Sequence, residues 1–323
     1  MTKAIYCDCG LICRGDSDEE LLRAAERHLR AEHPALAGRV RSEDLLAMAV
    51  DVEPEPSDGG TSSSDEPVVV RRAGPVLTLL LNRPRSRNAL SLALMREVTA
   101  QLRTAGRDRR VRAIVLGGSG TAFCSGHDLR ELRGADEIAA REVFDADAEL
   151  MRTIRELPTP VVARVHGPAT AAGCHLVAAC DLAVASPSAT FAVPGPVMGL
   201  VGATAMVEVA RLIGRRRATQ MLLTGAPVSA ETALHWGLIN AVVAQDELAA
   251  VTRAMALAAS AGAPGTTALA KRALHDVLDV PVDEACTRAT ELTVRTLPQA
   301  DAQEGIAAFL EKRSPTWRRD GPA

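Results

Sequence analysis

Most of this chain is predicted to fold as an α/β protein, and three observations predict it. Short apolar runs such as Val76–Leu81, Val111–Leu116, Val161–Val165 and Leu182–Ala185 alternate with longer helix-like stretches, the pattern of a largely parallel sheet covered by helices. Two of these runs empty into small-residue turns that open into helices, Gly117-Gly118-Ser119-Gly120 after the first and Gly167-Pro168 through Gly173 after the second. Hydrophobic residues make up 47% of the chain but aromatics only 2%, so the core is to be built from Ala, Val and Leu.

The elements follow in order. With 323 residues the chain exceeds a typical single domain, and two units are expected. Residues 1–50 read as a small α+β unit: a short strand at Ala4–Tyr6, then Cys7, Cys9, Gly10 and Cys13, then a helix capped by Ser17 and Glu20 and running to about His33. Three cysteines with His28 and His33 raise a zinc site, but C-x-C is a poor ligand spacing and five candidates exceed four ligands. Buried thiols and helix-end histidines are the preferred reading, and a metal or interaction module the alternative. Residues 51–66 are acidic, rich in Pro, Gly and Ser and nearly free of large apolar side chains, so they read as a flexible linker. Residues 67–323 form the second unit.

In that unit Val68–Arg72 and Val76–Leu81 read as a hairpin turning near Gly74-Pro75, and Ser91 caps a helix toward Ala105. Helices are predicted over Ala135–Leu157 and Ala172–Ala179. From Thr204 the chain is mostly helical, with Pro264, Pro281 and Pro298 as punctuation.

The net charge of −3 argues against a nucleic-acid partner. Seven scattered cysteines suit reduced thiols better than a disulfide framework. No apolar run reaches bilayer length, and the N-terminus lacks a secretory signal core. A cytoplasmic protein without a membrane span is expected.

Both glycine-containing turns lead from a strand into a helix start, where unpaired N–H groups and the helix dipole favour negative charge. Two such turns can give one backbone donor each to a single carbonyl oxygen and so stabilise an enolate or tetrahedral oxyanion. Tight strand-to-helix packing is the competing explanation of the small residues.

The segments G-T-A-F-C-S-G-H-D-L-R-E-L (Gly120–Leu132) and H-G-P-A-T-A-A-G-C-H-L-V-A-A-C-D (His166–Asp181) resemble the two signature segments of the enoyl-CoA hydratase/isomerase (crotonase) superfamily. Asn82–Leu90, Phe191–Gly195 and Leu223–Val243 resemble further family segments and occur in family order. The resemblance implies a spiral of ββα units with C-terminal helices that build a homotrimer, often paired into a hexamer. It also implies an acyl-CoA substrate of fatty-acid metabolism, with coenzyme A entering as part of the substrate and no separate cofactor. Residues 1–50 resemble a family of small uncharacterised domains, which implies no activity.

Carried over position by position, the resemblance places the thioester carbonyl between the backbone N–H groups of His127 and Ala172, the latter standing where the family has glycine. Arg85 and Arg87, with Arg83, become partners for coenzyme A phosphates. Ala89, His127, Asp128, Leu129, Arg130, Ala172, Gly173 and Gly195 become substrate contacts, Asp128 chiefly ordering its own loop. The two catalytic glutamates of family hydratases are replaced here by His175 and Gly195. His175 is the first candidate for the missing acid or base and His127 the second. This glutamate-poor pattern resembles a branch named enoyl-CoA hydratase domain-containing proteins. Two functions stay open: a nominal enoyl-CoA hydratase or isomerase, and a protein that binds CoA thioesters with little turnover.

Overall fold

The structure is a computed structural model, and it describes residues 2–6, 12–34, 36–37, 39–52 and 66–319. Strands Thr2–Tyr6, Ile12–Gly15 and Val50–Val52 form a small antiparallel sheet with the first strand in the middle. Helix Asp18–Glu32 covers it, with the Ser17 side chain accepting from Glu20 N–H. Ile5, Cys13, Leu21, Ala25 and Leu45 form its core. The third strand corrects the expected boundary at residue 50, because Val52 pairs with Thr2. Residues 53–65, most of the expected linker, lie outside the described residues, as do Cys7 and Cys9.

A six-stranded sheet organises the rest. Its order is Ala241–Val242, Leu182–Ala185, Val161–Val165, Ala113–Gly118, Val76–Leu81, Val68–Ala73. All neighbouring pairs are parallel except the last, the antiparallel hairpin around Gly74. Strands Val76–Leu81 and Val161–Val165 are buried along their whole length, which is why their sequences are apolar runs and not alternating ones. Helices Leu92–Arg107 and Glu137–Glu156 pack together on one face, and the core they share with the sheet is mostly Leu, Val and Ala. This mixed sheet with its helical covering is the crotonase-like α/β fold.

The parallel sheet decides where a site can form. Ala113–Gly118 and Val161–Val165 are adjacent and parallel, so the turns leaving their C-terminal ends emerge side by side. A second small sheet then receives the chain: Ala169–Thr170 pairs in parallel with Thr190–Ala192, which pairs with Val228–Ser229. Seven helices follow between Ala203 and Leu310 among the described residues. Those after Pro264 keep Leu274, Leu278, Val282, Val294, Leu297, Ile306, Phe309 and Leu310 exposed.

Candidate active site

Three interactions lock the two turns together. Cys124 N–H donates to the Pro168 carbonyl at 3.2 Å, and Thr170 N–H donates to the Cys124 carbonyl at 2.9 Å. A Cβ on Gly173 would overlap that same Cys124 carbonyl oxygen, so only glycine lets the helix Ala172–Ala179 start this close to the first turn. Gly126 has φ +94°, and a Cβ built on it would lie 3.3 Å from Ala172 N. His127, the next residue, is therefore carried to the side of Ala172. Among the described residues neither His127 N–H nor Ala172 N–H donates to a backbone carbonyl.

Ala172 is helical, so alanine costs nothing there. The strained residue is its neighbour: Ala171 has φ 52° and ψ −117°, the first central position of a type II′ turn and a region L-residues avoid. Its N–H donates to the Ala192 carbonyl at 2.8 Å, and its own carbonyl accepts from His175 N–H at 3.1 Å. Those bonds hold the twist that ends the strand and opens the helix.

Beside these turns lies a cavity of about 1300 Å³. Arg85, Arg87, Ala89, His127, Asp128, Leu129, Arg130, Ala172 and Gly195 all line it, as does Arg83. Two sequence candidates are corrected. Gly173 is absent from the lining because it is spent on the contact with Cys124, and His175 is 5% exposed and sits behind the wall. His127 is the histidine at the cavity, which reverses their order.

The arginines divide as well. Asp128 is buried, accepts from Arg130 N–H at 3.3 Å, and pairs with the guanidinium groups of Arg130 at 2.8 Å and Arg83 at 3.2 Å. The Arg130 hydrogen bonds hold its carboxyl down to about 2. Arg83 also donates to the Ala89 carbonyl at 2.8 Å, so it braces the loop. Arg85 and Arg87 are exposed at the cavity, and among the described residues no ion pair holds them. The fully buried Asn88 ties this loop down, its amide reaching the carbonyls of Ser119, Ala122 and Phe123 within 3.1 Å.

Behind His127 is a residue the sequence reading missed. Asp147, on helix Glu137–Glu156, is 1% exposed; its Oδ1 lies 3.3 Å from His127 Nε2 and its Oδ2 lies 3.5 Å from His175 Nδ1. These are ion-pair distances, and Oδ1, His127 Nε2 and His175 Nδ1 have no aligned hydrogen-bond partner. Burial pushes the Asp147 carboxyl up, yet the two histidines outweigh it and hold it at about 2. Phe144, one turn earlier on the helix, meets the His127 ring edge-on with centroids 5.0 Å apart and lines the cavity. The signal for Asp147 was present: Val143, Asp147, Leu150, Met151 and Ile154 share a helical stripe whose other members are all apolar. An acid on a buried stripe needs a partner.

The remaining candidates take no part in this cluster. Burial pushes the Cys124 and Cys174 thiols up to about 12, which removes them as nucleophiles near neutrality. Cys13 and His28 are buried in the small unit, with the His28 and His33 rings 5.1 Å apart. Among the described residues no three His, Cys, Asp or Glu side chains gather around a common metal position.

Residues 71–320 match the enoyl-CoA hydratase/isomerase family, and residues 3–43 match a family described as a protein of unknown function, DUF1059. The chain is 40% identical over 277 residues to enoyl-CoA hydratase domain-containing protein 3, mitochondrial, of Danio rerio, covering 85% of this chain and 95% of that one. A crystal structure of enoyl-CoA hydratase from Mycobacterium smegmatis superimposes with a TM-score of 0.76 at 41% identity, over 78% of this chain and 99% of that one. The crystal structure of human enoyl Coenzyme A hydratase domain-containing protein 3 gives 0.75 at 37%, over 78% and 100%. The fish, mouse and human relatives are named mitochondrial, which overturns the expected cytoplasmic location. A family match over more than two thirds of the chain, a shared fold and paired free N–H groups at the cavity wall agree: the chain belongs to the enoyl-CoA hydratase/isomerase family.

Proposed function

We propose that the chain binds acyl-CoA thioesters in this cavity and polarises the thioester carbonyl between the N–H groups of His127 and Ala172. The observation that supports the reading is that His127 and Ala172 both line the cavity with neither N–H taken by a backbone acceptor. Two backbone dipoles aimed at one oxygen stabilise the negative charge that develops there, whether enolate or tetrahedral adduct. Arg85 and Arg87 are the free cations for the coenzyme A phosphates, and Leu129, Leu132, Phe144, Met198 and Val201 offer the acyl group an apolar lining.

The nominal reaction is enoyl-CoA hydration or isomerisation, with His127 moving the proton. The glutamates of family hydratases are replaced by His175 and Gly195, so hydration of crotonyl-CoA is slow. One proton-transfer group contributes about 10²–10⁴-fold. A specific observation favours the second reading, binding with little turnover: a Cβ on Gly195 would lie 2.8 Å from Gly202 Cα and 3.0 Å from the Leu200 carbonyl oxygen. That position has no space for a carboxylate.

Calorimetry with crotonyl-CoA on the full chain tests binding, and loss of the conjugated thioester absorbance tests turnover. No detectable binding removes the reading; binding without absorbance loss selects the second form of it. The exposed apolar side chains of the C-terminal helices form the surface for a homotrimer or hexamer. A concentration-independent monomer on sedimentation contradicts that assembly.

A further inference from the structure

We propose that this site also hydrolyses acyl-CoA thioesters, with His127 as general base for water and Asp147 as its positioning residue. The inference rests on the reading above, that the thioester carbonyl lies between the His127 and Ala172 N–H groups.

Hydration and hydrolysis ask for different equipment. Adding water across a C=C bond uses proton handling at two carbons, and at Gly195 the backbone of Leu200 and Gly202 fills the space a second carboxylate would need. Thioester hydrolysis uses one base, an oxyanion site and a leaving group that departs readily. A thiol has an ordinary pKa of about 8.5, so the departing thiolate needs no dedicated acid. His127 supplies the base from the residue that also supplies one oxyanion donor, and its ring stands beside a carboxylate that can orient it. Nε2 is buried against Asp147 at 3.3 Å, while the side chain lines the cavity. Asp147 is held ionised by His127 and by His175 on its other oxygen. The neighbouring Cys124 thiol is kept neutral by burial, so water and not sulfur is the nucleophile.

The step balances as follows. His127 takes a proton from water as the water oxygen bonds to the carbonyl carbon, and the carbonyl electrons move to the oxygen between the two N–H groups. The adduct collapses, the C–S bond breaks, and the thiolate takes the proton back from His127. The products are the carboxylic acid, which ionises in water, and coenzyme A thiol.

Saturated substrates isolate this activity, since butyryl-CoA and octanoyl-CoA have no double bond to hydrate. Thiol release is followed with a thiol-reactive chromophore, after the protein's own exposed Cys286 has reacted. The expected result is turnover above the buffer rate with one carboxylate formed per thiol. His127→Gln lowers it about 10²–10⁴-fold. Asp147→Asn lowers kcat on the order of tenfold or more, with KM retained. Binding by calorimetry with thiol release at the buffer rate overturns hydrolysis and leaves the binding reading intact. No binding at all removes both. Hydrolysis unchanged in His127→Gln overturns the base, and a loss in Asp147→Asn that falls on KM with kcat unchanged reduces Asp147 to a structural role. If either variant unfolds, the wild-type rate and the ¹⁸O content of the carboxylate made in labelled water still decide whether hydrolysis occurs.

Discussion

Two stretches line the same cavity with different materials. Residues 124–128 and 170–172 bring free N–H groups and an imidazole, backed by the buried Asp147 carboxylate of helix Glu137–Glu156. Residues 193–205 bring Val193, Pro194, Gly195, Met198, Leu200 and Val201, with no titratable side chain. The first stretch is rigid because hydrogen bonds cross between its two turns and glycine removes the space between them. The second carries Val197, Met198, Leu200 and Val201 as exposed apolar side chains around left-handed Gly199 and Gly202. Of these two stretches only the one fixed by the sheet carries a titratable side chain, and residues 193–205 offer only apolar surface and shape.

The largest expected effect breaks the first stretch. Gly173→Ala drives a Cβ into the Cys124 carbonyl oxygen, a backbone atom that also accepts from Thr170 N–H and cannot step aside. We expect a loss of about 3 kcal/mol or more, with acyl-CoA binding lost in parallel. Thermal melting and calorimetry read both, and a variant as stable as wild type would falsify the close-packed junction.

The second expectation addresses the bare stretch. Gly195→Glu introduces the carboxylate that the family resemblance implies at this position, but its Cβ meets Gly202 Cα at 2.8 Å and Gly202 N at 2.9 Å. Destabilisation of about 2 kcal/mol and no gain in crotonyl-CoA hydration follow. A rise in hydration rate would show that the loop from Pro196 to Gly202 gives way, and the contrast between the two stretches would dissolve.

That contrast was partly legible in the sequence. The strands Val76–Leu81, Val161–Val165 and Leu182–Ala185 and the helix Ala172–Ala179 were predicted to the residue, the strands because a buried strand is written as a mostly apolar run. That His127 and Ala172 share one cavity wall was reachable from the resemblance. The ranking of the histidines was not, since the sequence around His127 and His175 does not say which ring faces a cavity and which faces a helix. That depends on helix Glu137–Glu156 crossing both, a long-range packing fact. Asp147 could have been found from its apolar stripe; its two partners could not. The strain at residue 171 was not legible, because small residues in a row do not show which one turns.

A third expectation concerns the charge behind the first stretch. The folded Asp147 carboxyl titrates at about 2, below its ordinary 3.8. A lowered carboxylate pKa stabilises the folded state above the ordinary value, and that contribution fades as pH falls through the folded one. Asp147→Asn is therefore less stable than wild type above pH 4, and the gap closes as the pH falls from 4 toward 2. Denaturant unfolding across that window is the measurement. A gap that stays constant with pH assigns the loss to packing and not to charge.

The smallest effect sharpens the origin of the rigidity. Ala171 keeps φ 52° and ψ −117° although its Cβ makes that conformation unfavourable. Its N–H bond to Ala192, its carbonyl bond to His175 and the Gly126 backbone packed against it together over-determine the turn. Glycine adopts this geometry without strain but loses more backbone entropy on folding, so the two terms oppose each other. At positive φ the strain term wins, and Ala171→Gly should raise stability by about 1 kcal/mol, a melting shift on the order of 2–4 °C for a domain of this size. The Ala172 N–H keeps its direction, because the same hydrogen bonds fix the turn, so acyl-CoA affinity should be unchanged. A more stable variant with weakened binding would mean that the alanine side chain itself is needed to aim the donor, and that the strain at this turn is part of the site.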